Sequence, residues 1–202
     1  IEMAVTILNK DQVFEALELK GKSVNQGFHR LKDHVNKFGL ADEQLHLKLP
    51  YEIGIDNFDT SLKFCPEIQQ EFSNLYAGAK AMLDQVVKEN TEASAIRCWP
   101  HHFDIATLIP LEENEKGEVI SSLGVGFSPG DQLINQPYFY VNIWPETLLS
   151  DLNKYDIWAG HWNDIEWSGA VLPYEDLLKA SDVNKTVQQF NLTTISGLRN
   201  SR

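Results

Sequence analysis

A histidine and an aspartate stand two residues apart, at positions 102 and 104. Side chains two apart on a β-strand project from the same face, so His102 and Asp104 could act together as an oriented histidine–carboxylate pair. Such pairing moves pKa values toward neutrality, as general acid–base catalysis requires. His102 and Asp104 are therefore the candidate catalytic residues. The alternative interpretation is structural, with Asp104 bonded to a neighbouring backbone group and His102 satisfied by a local partner.

Neighbouring β-like stretches add aromatic and small residues to the face that would carry this pair. Alternation over 137–144 places Phe139, Val141 and Ile143 on one face and Tyr138, Tyr140, Asn142 and Trp144 on the other. In 102–109 and 119–127, the matching polar face has a floor of Ala106, Ser122, Gly124 and Gly126. Arg97 and Trp99 join it if the Trp99-Pro100 step leaves the alternation unbroken.

A sheet face with small residues at its centre and polar-tipped aromatics around them is typical of a ligand pocket. The candidate ligand-binding residues are Arg97, Trp99, Ser128, Asp131, Tyr138, Tyr140 and Trp144. The alternative is that helices pack on this face and its tyrosines and tryptophans fill a core.

The sequence gives little support to a metal site or to a serine nucleophile. Further metal ligands would have to come from Asp131, His161 or Asp164, and no zinc-binding spacing is present, so we predict no metal and no cofactor. Gly126 to Gly130 has the spacing G-x-S-x-G, but Pro129 follows Ser128 and no helical pattern comes next, which indicates a turn.

The charge of the chain disfavours two classes of partner. With 17 Lys and Arg against 29 Asp and Glu, the net charge is −12, so there is no basic surplus for nucleic acid or for an anionic membrane. No apolar stretch approaches the roughly 20 residues that cross a bilayer. The two cysteines, Cys65 and Cys98, are too few for a disulfide framework, and we expect free thiols and a cytoplasmic protein.

The elements that must position the face are read from hydrophobic periodicity. Apolar spacing predicts helices over 23–38, from Pro66 to Val87 and over 183–198, and a weaker one over 10–19. Ala4 to Leu8 is an edge strand or a lead-in, and Leu45, Leu47 and Leu49 predict a strand. We expect a single α+β domain over 1–202, mainly an antiparallel sheet of about 93–168 plus the strand near Leu45, covered by amphipathic helices.

Short motifs in the second half, over residues 96–198, resemble those of an uncharacterised bacterial family of unknown function. In chain order they are Phe103-Asp104-Ile105-Ala106, Glu118-Val119-Ile120-Ser121, Gly126-Phe127-Ser128-Pro129-Gly130, Tyr138-Phe139-Tyr140 and Leu172-Pro173-Tyr174-Glu175. The family pattern reads F-D-L-A, E-V-I-S, G-F-W-P-G, F-Y and L-P-Y-E, and this chain departs from it at Ser128. The resemblance implies that Asp104, the turn over 126–130 and the strand over 138–140 are family features, and it implies no activity.

Two hypotheses from different classes follow. In the first, the chain binds an unidentified small molecule on the polar sheet face and is an enzyme if His102 and Asp104 act on it. In the second, it is a non-catalytic protein interaction module that docks through its helical first half or through a loop carrying Trp158, Trp162 and Trp167. A metal-dependent hydrolase is a further alternative, and the sequence does not indicate an oligomeric state.

Overall fold

Hydrophobic alternation and helical periodicity produce two antiparallel β-sheets and four helices in the residues that the computed structural model describes. Those residues are 4–9, 12–39, 45–46, 48, 57–100, 102–145, 152, 155–165 and 167–200. The fold is therefore α+β with antiparallel sheets, as predicted. The chain forms two compact units, Ile1–Asn74 and Leu75–Arg202. The expectation that they fold as one domain stays a prediction.

The first unit contains a β-hairpin of β1 (Ala4–Asn9) and β2 (Gln12–Glu18). The predicted helix over 10–19 is wrong, because this stretch is β2. Its side chains alternate between half-buried Glu15, exposed Ala16, buried Leu17 and exposed Glu18. This period of two fits a strand, and pairing with β1 satisfies the backbone groups that a short isolated helix would leave to water.

Helix α1 (Val24–Lys37) confirms the second predicted helix. Ser23 caps it: Ser23 Oγ accepts a hydrogen bond from the Gln26 amide at 3.1 Å, and Gln26 Oε1 accepts one from the Ser23 amide at 3.0 Å. Gly39 follows the end of the helix at φ +69°, a conformation that favours glycine. Of the predicted strand near Leu45, the described residues Leu45, His46 and Lys48 are assigned to no strand, and its other residues lie outside the described part.

Helix α2 (Pro66–Glu89) begins in the first unit, at the predicted proline, and ends in the second. The second unit holds a six-stranded antiparallel sheet in the order β3-β4-β5-β6-β8-β7. Its strands are β3 (Arg97–Trp99), β4 (Asp104–Glu113), β5 (Val119–Ser128), β6 (Tyr138–Trp144), β7 (His161–Asn163) and β8 (Gly169–Pro173). A one-turn helix α3 (Tyr174–Leu177) and a long helix α4 (Val183–Asn200) complete it.

The core of the second unit lies on one face of this sheet. Ile109, Leu123, Val125, Phe139 and Val141 are buried on this face. Leu83 and Val86 of α2 and Val187, Phe190 and Leu198 of α4 belong to the same buried cluster. No helix among the described residues is long and apolar enough to cross a membrane.

Candidate functional site

The other face of the six-stranded sheet carries most of the predicted site residues. In the register, Arg97 lies opposite Ala106, Trp99 opposite Asp104, Gly126 opposite Tyr140, Ser128 opposite Tyr138 and Ser122 opposite Trp144. Residues directly opposite each other share a face, so alternation correctly predicted that Gly126, Tyr140 and Trp144 lie on one face. We call this surface, from Asp104 across Gly126 to Tyr138 and Tyr140, the Asp104 face.

Asp104 is the first residue of β4 and is only 7% exposed. Its Oδ2 accepts a hydrogen bond from the phenol of Tyr140, which lies on β6, two strands away. Neighbouring strands are about 4.8 Å apart, so the tyrosine side chain must reach across β5. Gly126 makes room for it, because a Cβ at that position would lie 2.5 Å from Cζ and Oη of Tyr140. Gly126, predicted as part of a pocket floor, thus lies beneath the Tyr140 ring.

A second phenol–carboxylate pair lies beside the first. Tyr138 Oη donates to Asp131 Oδ2 at 2.5 Å, and the Tyr138 and Tyr140 ring centroids are 6.1 Å apart. Asp131 lies in the turn between β5 and β6, where its Oδ1 accepts hydrogen bonds from the amides of Leu133 and Ile134, both at 2.8 Å. The turn therefore fixes the carboxylate that orients Tyr138.

Both phenols are held in their protonated form. Burial, followed by the charge and hydrogen bond of Asp104, raises the pKa of Tyr140 far above its ordinary value. Burial and the hydrogen bond to Asp131 raise the pKa of Tyr138 in the same way. Neutral phenols donate hydrogen bonds, so these tyrosines are suited to orienting carboxylates or polar ligand groups rather than to removing protons.

The prediction that His102 shares a strand face with Asp104 is wrong. Phe103, between them, has φ +59°, and His102 lies in the turn before β4. The positive φ interrupts the extended backbone, so spacing by two no longer puts both side chains on one face. The phenol of Tyr76 in α2 donates to the Phe103 carbonyl and holds this turn.

Trp144 lies on the same sheet face but far from Asp104. Four residues along β6 separate it from Tyr140, about 13 Å at the rise of a strand, and it is 52% exposed. Arg97 is exposed and Trp99 half-buried on the short outer strand β3. These three residues therefore form the edges of the Asp104 face.

Trp167 belongs to the site and was not among the predicted ligand-binding residues. Its ring makes an edge contact with Tyr140, with centroids 6.4 Å apart, and a Cβ at Gly169 would lie 2.7 Å from its Cζ3. The sequence does place Trp167 two residues before Gly169, which leaves room for its ring. Without a predicted strand at 169–173, this spacing could not be related to the sheet face. Trp162 instead lies on the core side, where its Nε1 donates to the Tyr155 carbonyl at 2.8 Å.

The described residues show neither the ligand cluster of a metal site nor the backbone geometry of a serine elbow. Among the described residues, no group of three His, Cys, Asp or Glu side chains could hold a metal ion. After Ser128 the chain enters a turn and then β6, whereas a serine elbow leads into a helix. Ser128 Oγ accepts a hydrogen bond from the Gly130 amide at 3.2 Å.

The comparisons with known proteins give a family and no activity. A family of unknown function, DUF5996, matches residues 1–197. No curated protein and no solved structure matches the chain. The match confirms the resemblance that the second-half motifs indicated and extends it over the first half. The chain therefore belongs to DUF5996, a family of unknown function.

Proposed function

We propose that this chain is a small-molecule-binding protein whose ligand is an organic amine or ammonium ion bound at the Asp104 face. The observation that carries the proposal is the burial of Asp104 under a tyrosine, beside a second tyrosine–carboxylate pair. Burying a carboxylate is costly, and folds seldom retain such a group without a use for it. The opposite face of the sheet supplies the apolar core without it.

The chemistry of the face favours a cation. Asp104 and Asp131 supply two carboxylates, each bonded to one of two tyrosines whose ring centroids are 6.1 Å apart. Tyr138, Tyr140 and Trp167 supply three rings at mutual tilts of 55° and 66°, and the faces of such rings attract organic cations. The net charge of −12 favours the approach of a positive ligand.

The same geometry favours binding over histidine–aspartate catalysis. His102 lies in the turn outside β4, and the raised pKa values of both tyrosines remove them as general bases near neutral pH. Asp104 is then an anchor for the ligand, and Tyr140 positions its carboxylate.

Native mass spectrometry tests this proposal on freshly purified protein. We expect a mass excess that disappears on denaturation, persists in Glu113→Gln and is lost in Asp104→Asn. Glu113 is the matched control, since it is an exposed carboxylate at the other end of β4. A mass excess retained equally by all three proteins would contradict the proposal, as would its absence from the wild type.

A second function, protein interaction, is favoured by one observation. Trp158 and Ile165 lie in the segment 155–165 and are 59% and 79% exposed. Exposed large apolar side chains close in sequence are typical of docking surfaces. If this segment docks a partner, Trp158→Ser should abolish complex formation in analytical ultracentrifugation of cell extracts with labelled protein, whereas Asp104→Asn should leave it intact.

A further inference from the structure

A groove lies between α2 and α4 in the second unit, on the core side of the sheet and separate from the Asp104 face. It contains two cavities of about 340 and 360 Å³. Both are lined by Val86, Glu89 and Asn191, so these residues mark the centre of the groove. A volume of this size suits a small organic molecule.

Asn191 is the unusual residue of this groove. It is 4% exposed, and its buried Oδ1 has no hydrogen-bond partner. A buried acceptor without a donor costs stability, and native folds pair almost all such groups. Asn191 lines both cavities, so a ligand in the groove would lie beside the residue whose acceptor lacks a donor.

The charged residues of the groove already have partners. Glu89 Oε1 accepts hydrogen bonds from Gln85 Nε2 at 2.7 Å and from Gln188 Nε2 at 3.2 Å. Arg199, at the far end, forms an ion pair with Glu92 at 3.1 Å. A charged ligand would have to displace these contacts, whereas an uncharged one would not.

We propose that this groove binds an uncharged small molecule with an apolar ring or chain and an N–H or O–H donor. The donor bonds to Asn191 Oδ1, and the apolar part lies against Met82, Val86 and Val187. This site is independent of the proposed amine site, because the two differ in position, in ligand charge and in anchoring residue.

Benzamide is a suitable probe, because it joins an apolar ring to a neutral N–H donor. We would titrate it into the protein and follow backbone amide resonances by NMR. A fragment of this size should bind with a Kd on the order of 1 mM and shift the resonances of Val86, Val187 and Asn191. N,N-dimethylbenzamide, which has no N–H donor, should bind about tenfold more weakly.

Two variants locate the donor contact. Asn191→Leu keeps the approximate volume and removes the acceptor, so benzamide should lose about tenfold in affinity. Thr194→Val is the matched control: Thr194 is also buried on α4 with an unpaired hydroxyl, but it lines neither cavity. The Thr194→Val protein should bind benzamide with the same affinity as the wild type.

Three results would overturn the proposal. These are no benzamide response at the groove up to its solubility limit, equal binding of the two benzamides to the wild type, or unchanged binding to folded Asn191→Leu. If Asn191→Leu fails to fold, the comparison of the two benzamides on the wild type still decides. Neither probe is charged, so a failure here leaves the amine site at Asp104 unaffected.

Discussion

The Asp104 face depends on one close approach between Gly126 and Tyr140. The phenol reaches Asp104 only because β5 has no side chain where the ring crosses it. Glycine inside a strand usually weakens the strand, because it has no side chain to pack. It is often found where another group passes close to the backbone. Gly126 is therefore a determinant of the site as well as of the sheet.

Replacing this glycine should disrupt the site and the fold together. In Gly126→Ala, the new Cβ would lie 2.5 Å from the Tyr140 ring, so the ring must move away from Asp104. We expect a loss of roughly 1–3 kcal/mol in the free energy of unfolding, measured by urea denaturation. Gly78→Ala in α2 is the control: its Cβ meets nothing within 4 Å, and the change should stabilise by about 0.5–1 kcal/mol. Equal effects of the two substitutions would contradict the account.

The buried tyrosines should make the protein sensitive to alkaline pH. Their pKa values are raised in the folded state, so the folded protein keeps phenol protons that the unfolded chain releases above about pH 10. The stability contributed by these phenols is complete below that pH and falls as the pH rises further. Urea denaturation between about pH 8 and pH 11 should show a steeper loss for the wild type than for Tyr138→Phe/Tyr140→Phe. Parallel curves would show that the phenols ionise alike in both states.

For individual residues, the sequence predicted which strand side chains share the Asp104 face but not which hydrogen bonds join them. Alternation depends only on the period of a strand, so Tyr138 and Tyr140 were placed correctly. Ser128 was predicted in a turn, but it is the last residue of β5. The links from Tyr140 to Asp104 and from Tyr138 to Asp131 depend on strand order and on a turn, which a single sequence does not specify. His102 was misplaced because a positive φ at Phe103 has no reliable signature in that residue type.

Among the elements, helices α1 and α2 were predicted best. Ser23 and Gly39 bracket α1, and Pro66 begins α2. Strand β8 was missed, because Gly169–Pro173 is short and carries a proline. Its position between β6 and β7 is set by tertiary pairing, which overrides local preference.

The capping box gives a prediction for α1. Ser23→Ala removes the hydroxyl that accepts from the Gln26 amide and leaves that donor to water. The helix should lose about 1 kcal/mol, seen as a lower midpoint in thermal denaturation followed by circular dichroism. Ser73→Ala, at an exposed position within α2, should instead be neutral or slightly stabilising. A Ser23→Ala protein as stable as the wild type would exclude a role for the cap.

At the scale of the whole molecule, the expected single domain can be tested with probes that report different regions. All five tryptophans lie between positions 99 and 167, so their fluorescence follows the second unit alone. Far-ultraviolet circular dichroism follows the helices of both units. One domain predicts that the two urea transitions coincide, since small single domains unfold cooperatively. Separate midpoints would show that the two units unfold independently.

The central claim is that the Asp104 face recognises a cation. The most direct measurement compares the melting temperature of the protein with choline and with the neutral isostere in which carbon replaces the quaternary nitrogen. A ligand that binds only the folded state raises the melting temperature, and the rise grows with the ratio of ligand concentration to Kd. We predict that choline raises it in the wild type and in Glu113→Gln, that the isostere has no comparable effect, and that Asp104→Asn abolishes the response. No response of the wild type to choline, an equal response to both compounds, or an unchanged response in folded Asp104→Asn would contradict the account.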